Sequence, residues 1–327
     1  MAPELKCLWL TASLLTPIAA SAAGCPAPAC FTQPVEIVVP FAAGGQLDTA
    51  ARIIAAPLSA QVGQKVNIKN LPGASGAIGV RQAVNAAPDS HTILVTSSVS
   101  MVVTPVLHST PPFNPLKDLI PVIQIGSTPH ILAVHSDSPW KSLKDFVAAA
   151  STGTKSIKYG SAGLGSFNHL LAERLKMSRR LGLLQHTPYR GNSPALNDLS
   201  HGQIDVMFVD AATATREAQS GRLRFLAITG DQRSPGFPDV QTFNEQGFAG
   251  MESAWIGVFY PANTHQNIVV RLKSEMQKLL TDPNVREKLE ALGIEAGGLE
   301  GDAFARAMAL QSEAWRGLIQ GAGVRVR

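Results

Sequence analysis

Blocks of apolar residues alternate along the chain with segments that carry small and apolar residues at helical spacing. Residues 35–40 are an apolar run that predicts a buried strand, and residues 49–58 have a helical pattern, with a glycine turn between the two. The same order recurs in a strand at 65–69, a glycine-opened helix at 73–87 and a strand at 91–96 that ends in Ser97 and Ser98. Because β-α alternation is typical of parallel sheets covered by helices, this part predicts an α/β unit.

A second series of alternating elements follows Pro121. Two strand-like runs precede a helix for which Ser138 is the predicted N-cap and Pro139 the first helical residue. The alternation continues with strands at 156–159, 184–188, 206–209 and 223–229 and helices at 168–177, 193–201 and 213–219. The sequence therefore predicts a second α/β unit, which starts near Gly126.

The last part of the chain has a different pattern. A strand at 253–260 leads out of the second unit, and amphipathic helices follow at 266–280, 285–292 and 302–320. Because these helices have no strong strands between them, we expect them to pack back on the first unit. The predicted lobes are therefore 31–125 plus 255–327 and 126–254. Two crossing strands, near residues 126 and 254, form a hinge, and hinged lobes bind ligands in the cleft between them.

One glycine loop in each predicted lobe lies between a strand and a helix. The first is in VPFAAGGQLDTAAR, residues 39–52, and the second is in YGSAGLGSFNHLLAERL, residues 159–175. Glycine allows backbone N–H groups to approach a ligand, and the first turn of a helix has unpaired N–H donors with a partial positive charge. Either loop alone is more typical of a tight turn than of an anion site. The pair predicts that the two lobes hold one carboxylate-bearing solute from both sides.

Polar residues near these loops have structural and functional interpretations. Asp48 is either the N-cap of a helix that starts at Thr49 or an acceptor that faces the cleft. The Tyr189 hydroxyl either reaches the second loop or lies on the surface. Three other residues are expected to pack, to brace a loop or to make local hydrogen bonds, namely His169, Asp198 and Asp205.

Composition and charge narrow the classes of partner. The chain has 327 residues, of which 45% are hydrophobic, so it can bury the cores of two lobes. Its net charge is +4, and the basic residues are scattered and not interleaved with aromatic residues, which argues against a nucleic-acid partner. A mild positive charge suits anionic solutes.

The N-terminal segment has the pattern of an export signal. Lys6 precedes an apolar run that ends at Ala19 and is followed by the small residues Ala-Ser-Ala. We therefore predict a cleavable signal peptide at 1–23 and a periplasmic protein; a buried N-terminal helix and a lipoprotein anchored at Cys25 are the alternatives. In an oxidising compartment, Cys25 and Cys30 are expected to form a small terminal disulfide loop.

Five sequence blocks, in order, resemble one protein family. They are the two loop segments quoted above, HTPYRGNSPALNDLSHGQIDVMF (186–208), GRLRFLAITGDQRSPGFPDVQTFNEQGF (221–248) and VREKLEALGIEAGG (285–298). Together they are similar to the solute receptors of tripartite tricarboxylate transporters, the Bug or TctC-like family, over residues 33–324. The resemblance implies a type II periplasmic binding protein of two α/β lobes joined by a two-strand hinge. Such a monomeric receptor binds a carboxylate without a cofactor and delivers it to membrane permease subunits.

The resemblance also implies a set of ligand-binding residues. By matching position they are Phe41, Ala43, Gly44, Gly45, Asp48, Ser97, Ser98, Ser161, Gly163, Gly165, Ser166, Tyr189 and Asp210. The sequence departs from the family pattern at Gln46 and Leu47 and in the segment SSVSMVV, where ligand identity is decided. An apolar wall is expected from Phe41, Leu47, Leu164 and Phe167. Because neither glycine loop contains Arg or Lys, we predict a carboxylate with a partly apolar body that is held by neutral donors.

Patterns typical of enzymes are missing from the sequence. Ser138 to Lys141 fits S-x-x-K, but no S-D-N or K-T-G follows, and G-x-S-x-G, G-x-G-x-x-G, P-loop and H-E-x-x-H patterns do not occur. The sequence thus predicts no catalytic residues and no metal site. Two alternatives stay open besides a transport receptor: a sensor that presents a bound carboxylate to a membrane signalling protein, and an exported hydrolase.

Overall fold

The computed structural model describes residues 31–89 and 91–324. The predicted signal peptide and both cysteines of the predicted disulfide lie outside these residues. The strands of the described part are β1 (Val35–Val39), β2 (Val66–Asn70), β3 (Thr92–Ser97), β4 (Leu119–Thr128), β5 (His130–His135), β6 (Ile157–Ser161), β7 (Leu184–Pro188), β8 (Val206–Asp210), β9 (Leu223–Ile228), β10 (Ala254–Pro261) and β11 (Glu295–Ala296).

Helices connect most of these strands. They are α1 (Gln46–Val62), α2 (Ala77–Val84), α3 (Thr104–Leu107), α4 (Pro115–Asp118), α5 (Leu143–Thr152), α6 (Phe167–Arg179), α7 (Asn192–Ser200), α8 (Ala211–Ala218), α9 (Gln266–Thr281), α10 (Pro283–Glu290) and α11 (Gly301–Gly321). A short 3-10 turn precedes α2 at Ala74–Gly76, and a π-helical turn precedes α3 at Val99–Val103. Among the residues that the structure describes, no helix is both long and apolar enough to cross a bilayer.

The strands form two mixed sheets. The first has the order β11-β4-β10-β3-β1-β2 and the second the order β7-β6-β8-β5-β9. Strands β1, β2 and β3 are parallel, as are β6, β7 and β8, but β10 runs antiparallel to β3 and β4, and β5 runs antiparallel to β8 and β9. The parallel strands expected from β-α alternation are therefore present in both sheets, and each sheet also contains antiparallel strands. Strands β5 and β10 run in the opposite direction because each begins at the edge where the chain enters its sheet.

Burial explains why the first strand and the first helix form. In β1, Ile37, Val38 and Val39 are fully buried, which is typical of a central strand covered on both faces. Helix α1 buries Ala50, Ile54 and Leu58 against the same sheet, at helical spacing. These residues are the apolar pattern that predicted the two elements from the sequence.

The chain passes twice between the sheets, and both passages join the same two edges. Ala254, at the start of β10, is paired with Thr128, at the end of β4, and Ile256 is paired with Ser97, at the end of β3. In the second sheet, His130 at the start of β5 is paired with Asp210 at the end of β8. The carboxyl ends of the parallel strands of each sheet therefore meet at the crossings, and ligands of open α/β sheets bind outside such carboxyl ends.

The C-terminal helices pack in two ways. Helices α9 and α10 lie against α1 and the first sheet, as expected. Helix α11 contacts β4 and the π-helical turn but also α6, which follows a strand of the second sheet. There the Trp315 ring lies edge-on to Phe167 with a centroid distance of 5.5 Å, and the Arg174 guanidinium lies 4.1 Å from the Trp315 ring centroid. The expectation that all three helices pack on the first lobe is thus incomplete for α11.

The predicted start of the helix after β5 is wrong. Helix α5 begins at Leu143, and its N-cap is Ser142, whose Oγ accepts from the Asp145 N–H while the Asp145 carboxylate accepts from the Ser142 N–H. This capping box satisfies two backbone donors at once. Ser138 lies in the preceding turn, where its Oγ accepts from the Trp140 N–H at 3.3 Å.

Candidate functional site

The first glycine loop lies between β1 and α1 and is held by Asp48. Helix α1 begins at Gln46 with Gly45 as an N-cap that has no side-chain cap, so the prediction of Asp48 as N-cap is wrong. The Asp48 carboxylate is 2% exposed and accepts from the Gly44 N–H (2.8 Å), Arg52 Nε (2.9 Å) and Asn70 Nδ2 (2.9 Å). The Arg52 hydrogen bond is the main reason that the pKa of Asp48 falls to about 2. Asp48 is therefore buried and fixes the loop through these hydrogen bonds.

Asn70 is a second support of this loop that the sequence reasoning missed. Its Nδ2 donates both to Asp48 and to the Phe41 carbonyl, at 3.1 Å in the second case. Asn70 is the last residue of β2, and a polar amide at the end of a strand next to a glycine loop is the signal that points to it. The amide joins the ends of two neighbouring strands.

Small polar side chains lie at the end of β3 and in the π-helical turn that follows it. The Ser100 Oγ, in the π-helical turn, donates to the Ser75 carbonyl at 3.1 Å, and Ser100 and Phe41 both lie beside Gly76. Ser97 is half-buried, whereas Ser98 is 1% exposed and its Oγ accepts from the Trp255 N–H at 3.3 Å. Ser98 therefore ties β3 to β10, and Ser97 is the more accessible of the two serines.

The second glycine loop, at 162–166, is closed by its own polar side chains. Ser166 is half-buried, and its Oγ donates to the Gly163 carbonyl (2.6 Å) and lies 2.7 Å from Asn168 Oδ1. Asn168 Oδ1 also accepts from the Ala162 N–H at 3.2 Å. Asn168 was not predicted as a site residue, although its position in the first helical turn after the loop is a recognisable signal. Helix α6 starts after Ser166 without a side-chain cap.

Buried groups lie beneath the second loop. Ser161 is fully buried, and its Oγ lies 2.6 Å from His186 Nε2. The Gly165 N–H donates to His169 Nδ1 at 3.1 Å, which confirms the prediction that His169 braces a loop. His186 lies on β7 with no sequence pattern that marks it. Its role follows only from the pairing of β7 with β6.

The remaining predicted residues lie at the ends of β7 and β8. The Tyr189 hydroxyl donates to the Asp198 carboxylate at 2.7 Å, so it reaches helix α7 and not the second loop. Burial and this hydrogen bond raise the pKa of Tyr189 to about 12. Asp210 caps α8 by accepting from the Thr213 N–H at 2.9 Å. Asp205 accepts from the Lys158 N–H at 2.7 Å, across 47 positions of sequence, so the prediction of a local hydrogen bond is wrong for Asp205.

Helices that start at the carboxyl edges of the sheets differ in their N-caps from helices that start at the opposite edges. Helices α1, α2, α6 and α7 follow the carboxyl ends of parallel strands, and none has a side-chain cap. Helices α5 and α9 start at the opposite edges and are capped by Ser142 and His265; α8 is the exception at the carboxyl edge, with its Asp210 cap. Uncapped first turns present N–H donors and a partial positive charge to an anion. Four such turns lie at the carboxyl edges of the two sheets.

Contacts link the surroundings of the two loops. Gln46 Nε2, at the start of α1, donates to the Leu292 carbonyl at 2.8 Å. The next residue, Gly293, lies against Ala212 in the first turn of α8: a Cβ on Gly293 would be 2.6 Å from the Ala212 nitrogen. The first helix of one sheet is thus in near contact with a helix that starts at the facing edge of the other.

Gly293→Ala is expected to push these two segments apart and to cost about 1–3 kcal/mol of unfolding free energy, because its φ of +69° and the backbone contact both disfavour a side chain. Chemical denaturation measures the loss. Gly202→Ala is the matched control, since Gly202 has a φ of +67° and nothing within 4 Å of its Cβ position. Equal losses in the two variants would contradict the contact between the sheets.

The predicted apolar wall is only partly correct. Leu164 is 55% exposed and Phe41 is half-buried, so both are accessible. Leu47 and Phe167 are each 8% exposed and belong to the hydrophobic cores beneath α1 and α6. They fill helix-to-sheet interfaces, where apolar residues in a first helical turn gain more burial than in an open cleft.

The described residues hold no group of three or more His, Cys, Asp or Glu side chains that is arranged to bind a metal ion. Among the predicted residues, Ala43, Gly44 and Gly45 are exposed, and Phe41, Ser97, Gly163, Ser166, Tyr189 and Asp210 are half-buried. The buried ones are Asp48, Ser98, Ser161 and Gly165. The exposed backbone and hydroxyl groups are therefore available to a ligand, while the buried residues support them.

Comparisons of the sequence with known proteins give consistent results. The family model described as "Tripartite tricarboxylate transporter family receptor" matches residues 50–324. The chain is 36% identical over 291 residues to the UPF0065 protein in the tcbD-tcbE intergenic region of Pseudomonas sp. (strain P51), covering 88% of this chain and 86% of that protein. It is 30% identical over 297 residues to the protein BugT of Bordetella pertussis, covering 90% and 91% of the two chains.

Solved structures with similar folds include three with related sequences. A TctC solute binding protein from Polaromonas matches with a TM-score of 0.79 and 29% identity, over 89% of this chain and 99% of the other. R. palustris Rpa4515 with adipate matches with a TM-score of 0.75 and 30% identity, over 90% and 98%. MatC from Rhodopseudomonas palustris with bound malate matches with a TM-score of 0.72 and 29% identity, over 88% and 99%.

Proposed function

Because the chain belongs to the tripartite tricarboxylate transporter receptor family, we propose that it captures a carboxylate-bearing small molecule between its two lobes and delivers it to the membrane permease subunits of such a transporter. The family consists of periplasmic solute-binding receptors and not of enzymes. The chain is therefore a binding protein, and the exported hydrolase considered from the sequence is no longer a candidate.

The observation that carries the ligand class is the set of uncapped helix starts at the facing edges of the two sheets. A carboxylate placed there accepts hydrogen bonds from N–H groups that have no side-chain acceptor. Neutral hydrogen bonds contribute about 1 kcal/mol net each, so several of them together with exclusion of water reach the roughly 8 kcal/mol of micromolar binding. A direct ion pair is not required, which agrees with loops that contain no Lys or Arg.

The proposed ligand contacts come from both lobes. The first lobe contributes the N–H groups of Ala43 and Gly45, whereas the Gly44 N–H is held by Asp48, and the second lobe contributes the loop at Gly163 and the Ser166 hydroxyl. Leu164, at 55% exposure, supplies apolar surface beside them. This arrangement supports a carboxylate with a partly apolar body.

The lobes are proposed to be residues 31–125 plus 255–327 and residues 126–254. The positions of the sheets support this division, since β4 and β10 belong to the first sheet and every strand between them belongs to the second. We also propose that the protein acts as a monomer and reaches the periplasm through a cleavable signal peptide.

Isothermal titration calorimetry with adipate, malate, citrate and benzoate tests the ligand class. Adipate and malate are chosen because two similar proteins of known structure hold them. Micromolar binding of adipate or benzoate is the expected result. Tight binding of citrate alone would contradict the partly apolar ligand, and binding of none of the four would contradict the carboxylate class. Mass spectrometry of the compound that co-purifies with the protein gives an independent answer.

Ser166→Trp is expected to weaken binding of the tightest acid of this panel by about 100-fold or more, because the indole fills the space beside the second loop and the hydroxyl that donates within the loop is lost. Calorimetry measures the affinity, and circular dichroism of the free protein measures whether the fold is kept. Ser151→Trp is the control, since Ser151 is exposed near the end of α5, at the opposite edge of the second sheet. Unchanged affinity of Ser166→Trp would show that the ligand lies elsewhere.

A further inference from the structure

Three rings form a stack beneath the second glycine loop. Tyr159 and His186 are stacked with centroids 4.9 Å apart, and His186 and His169 are stacked at 4.0 Å. Tyr159 is 1% exposed and His169 is 3% exposed, and His186 is half-buried. Two imidazoles in direct contact below a binding loop are unusual, because each one that gains a proton opposes the charge of the other.

Each imidazole contacts one end of the loop. At the start of the loop, His186 Nε2 lies 2.6 Å from Ser161 Oγ, which accepts from the Gly163 N–H at 3.2 Å. At its end, His169 Nδ1 accepts from the Gly165 N–H at 3.1 Å. Ligand contacts are proposed at Gly163, which lies between these two attachment points, and at Ser166, which directly follows the second.

The Gly165 hydrogen bond fixes the chemical state of His169. A backbone N–H can only donate, so Nδ1 must carry a lone pair and the ring must be neutral. A proton on Nδ1 would face the Gly165 proton and break this attachment. The ring that holds the end of the loop therefore does so only while it is uncharged.

The surroundings keep the pair neutral. Glu173, 8% exposed, accepts from the Tyr159 hydroxyl at 2.5 Å and from Lys176 Nζ at 3.5 Å. Burial lowers the pKa of His169 to about 4, with the neighbouring His186 as the second cause, and burial also lowers the pKa of His186. Glu173 opposes both shifts and Lys176 adds to them. Tyr159, Glu173 and Lys176 are the titratable groups that face the pair from β6 and α6.

We propose that His169 and His186 are positioning residues for ligand binding: they hold the loop at 162–166 in the geometry that receives the carboxylate, and protonation of His169 releases it. This inference rests on the proposed function, because it assumes that the loop contacts the ligand. In this proposal the ligand contacts the loop, and the two imidazoles change the affinity only by holding the loop in position.

His169→Phe and His169→Asn separate ring packing from the hydrogen bond. Phenylalanine keeps an aromatic ring in the stack but has no acceptor, so it is expected to weaken binding of the tightest acid of the panel by about tenfold or more. Asparagine offers Oδ1 close to the position of Nδ1 and is expected to recover most of the affinity. His201→Phe is the control, since His201 is exposed at the end of α7. Equal affinities of His169→Phe and the wild type would overturn the proposal.

The pH dependence of the ligand affinity distinguishes this role of His169 from a merely structural one. When the pH equals the pKa of His169, half of the wild-type molecules are competent, so the apparent affinity falls about twofold, and about tenfold one unit lower. His169→Asn lacks this titration, and the acid's own titration cancels when the two proteins are compared with the same acid. Parallel profiles of wild type and His169→Asn would overturn the release on protonation.

Amide exchange of Gly165 in the ligand-free protein distinguishes failure of this inference from failure of the proposed function. NMR at neutral pH is expected to show slow exchange in the wild type and in His169→Asn and faster exchange in His169→Phe. If the wild type binds none of the acids, the proposed function is wrong. The inference is then also wrong, because it assumes that the loop binds a carboxylate. If the acids bind but Gly165 exchanges equally in all three proteins, only the inference fails.

Discussion

Trp315→Ala is expected to lower the free energy of unfolding by about 3–5 kcal/mol, the usual cost of removing a large aromatic side chain from a core. Trp315 is 2% exposed and lies between Phe167 and Arg174 of α6, so the substitution leaves a cavity and removes a cation–π contact. Because these contacts join α11 to a helix of the second lobe, the loss is also expected to loosen one lobe against the other. Guanidinium denaturation followed by circular dichroism measures the effect.

Leu310→Ala is the matched control for this prediction. Leu310 lies on the same helix and is 74% exposed, so its truncation is expected to change stability by only about 0.5 kcal/mol. Trp315→Phe keeps an aromatic ring and is expected to give an intermediate loss. If Trp315→Ala and Leu310→Ala were equally stable, α11 would not be fastened to α6 in solution.

Asp48→Ala is expected to cost about 2–4 kcal/mol, because it removes a buried carboxylate that accepts from the Gly44 N–H and Asn70 Nδ2 and that pairs with Arg52. The first glycine loop loses its support at the same time, so binding of the panel acids is expected to weaken in parallel. Denaturation and calorimetry on the same protein measure the two effects. Asp137→Ala is the control, since the Asp137 side chain is 92% exposed.

The pH dependence gives a second check on Asp48. Its pKa is about 2 in the folded protein, below the ordinary value of 3.8. The stabilisation it provides is therefore fully present above about pH 4 and is lost as the pH falls towards 2. The difference in stability between the wild type and Asp48→Ala should shrink over that range. A constant difference would mean that the carboxylate charge does not hold the loop.

The sequence predicted the family and the two-lobed α/β fold, and both are confirmed by the family match and by similar solved structures. Long amphipathic segments were predicted well: α9 and α11 begin and end within one residue of the expected helices. Their burial pattern repeats many times along each helix, so an error at one position has little effect.

Where a prediction depended on a single local signal, competing signals decided the outcome. Ser138 precedes a proline, which favours a helix start, but Ser142 and Asp145 form a reciprocal cap that is stronger. Asp48 resembles an N-cap, but glycine at position 45 already starts the helix, and the carboxylate turns back to bind Gly44. Both errors concern hydrogen bonds that are decided by a few residues.

The supports of the binding loops were the hardest part to predict. Asn70 contacts Asp48 across 22 positions of sequence, and His186 contacts Ser161 across 25. These contacts depend on strand register, which a single sequence does not specify. The direct ligand contacts assigned by family resemblance remain predictions, and the calorimetric experiments above test them.

The position of β10 has a consequence for the order in which the protein acquires its structure. This strand lies between β3 and β4 in the first sheet, yet the whole second sheet is made between β4 and β10. During synthesis the nascent first half therefore has an incomplete sheet, and contacts between distant segments form slowly. Until β10 is made, β3 and β4 lack the strand that lies between them, so the first sheet is completed only after residues 254–261 have been synthesised.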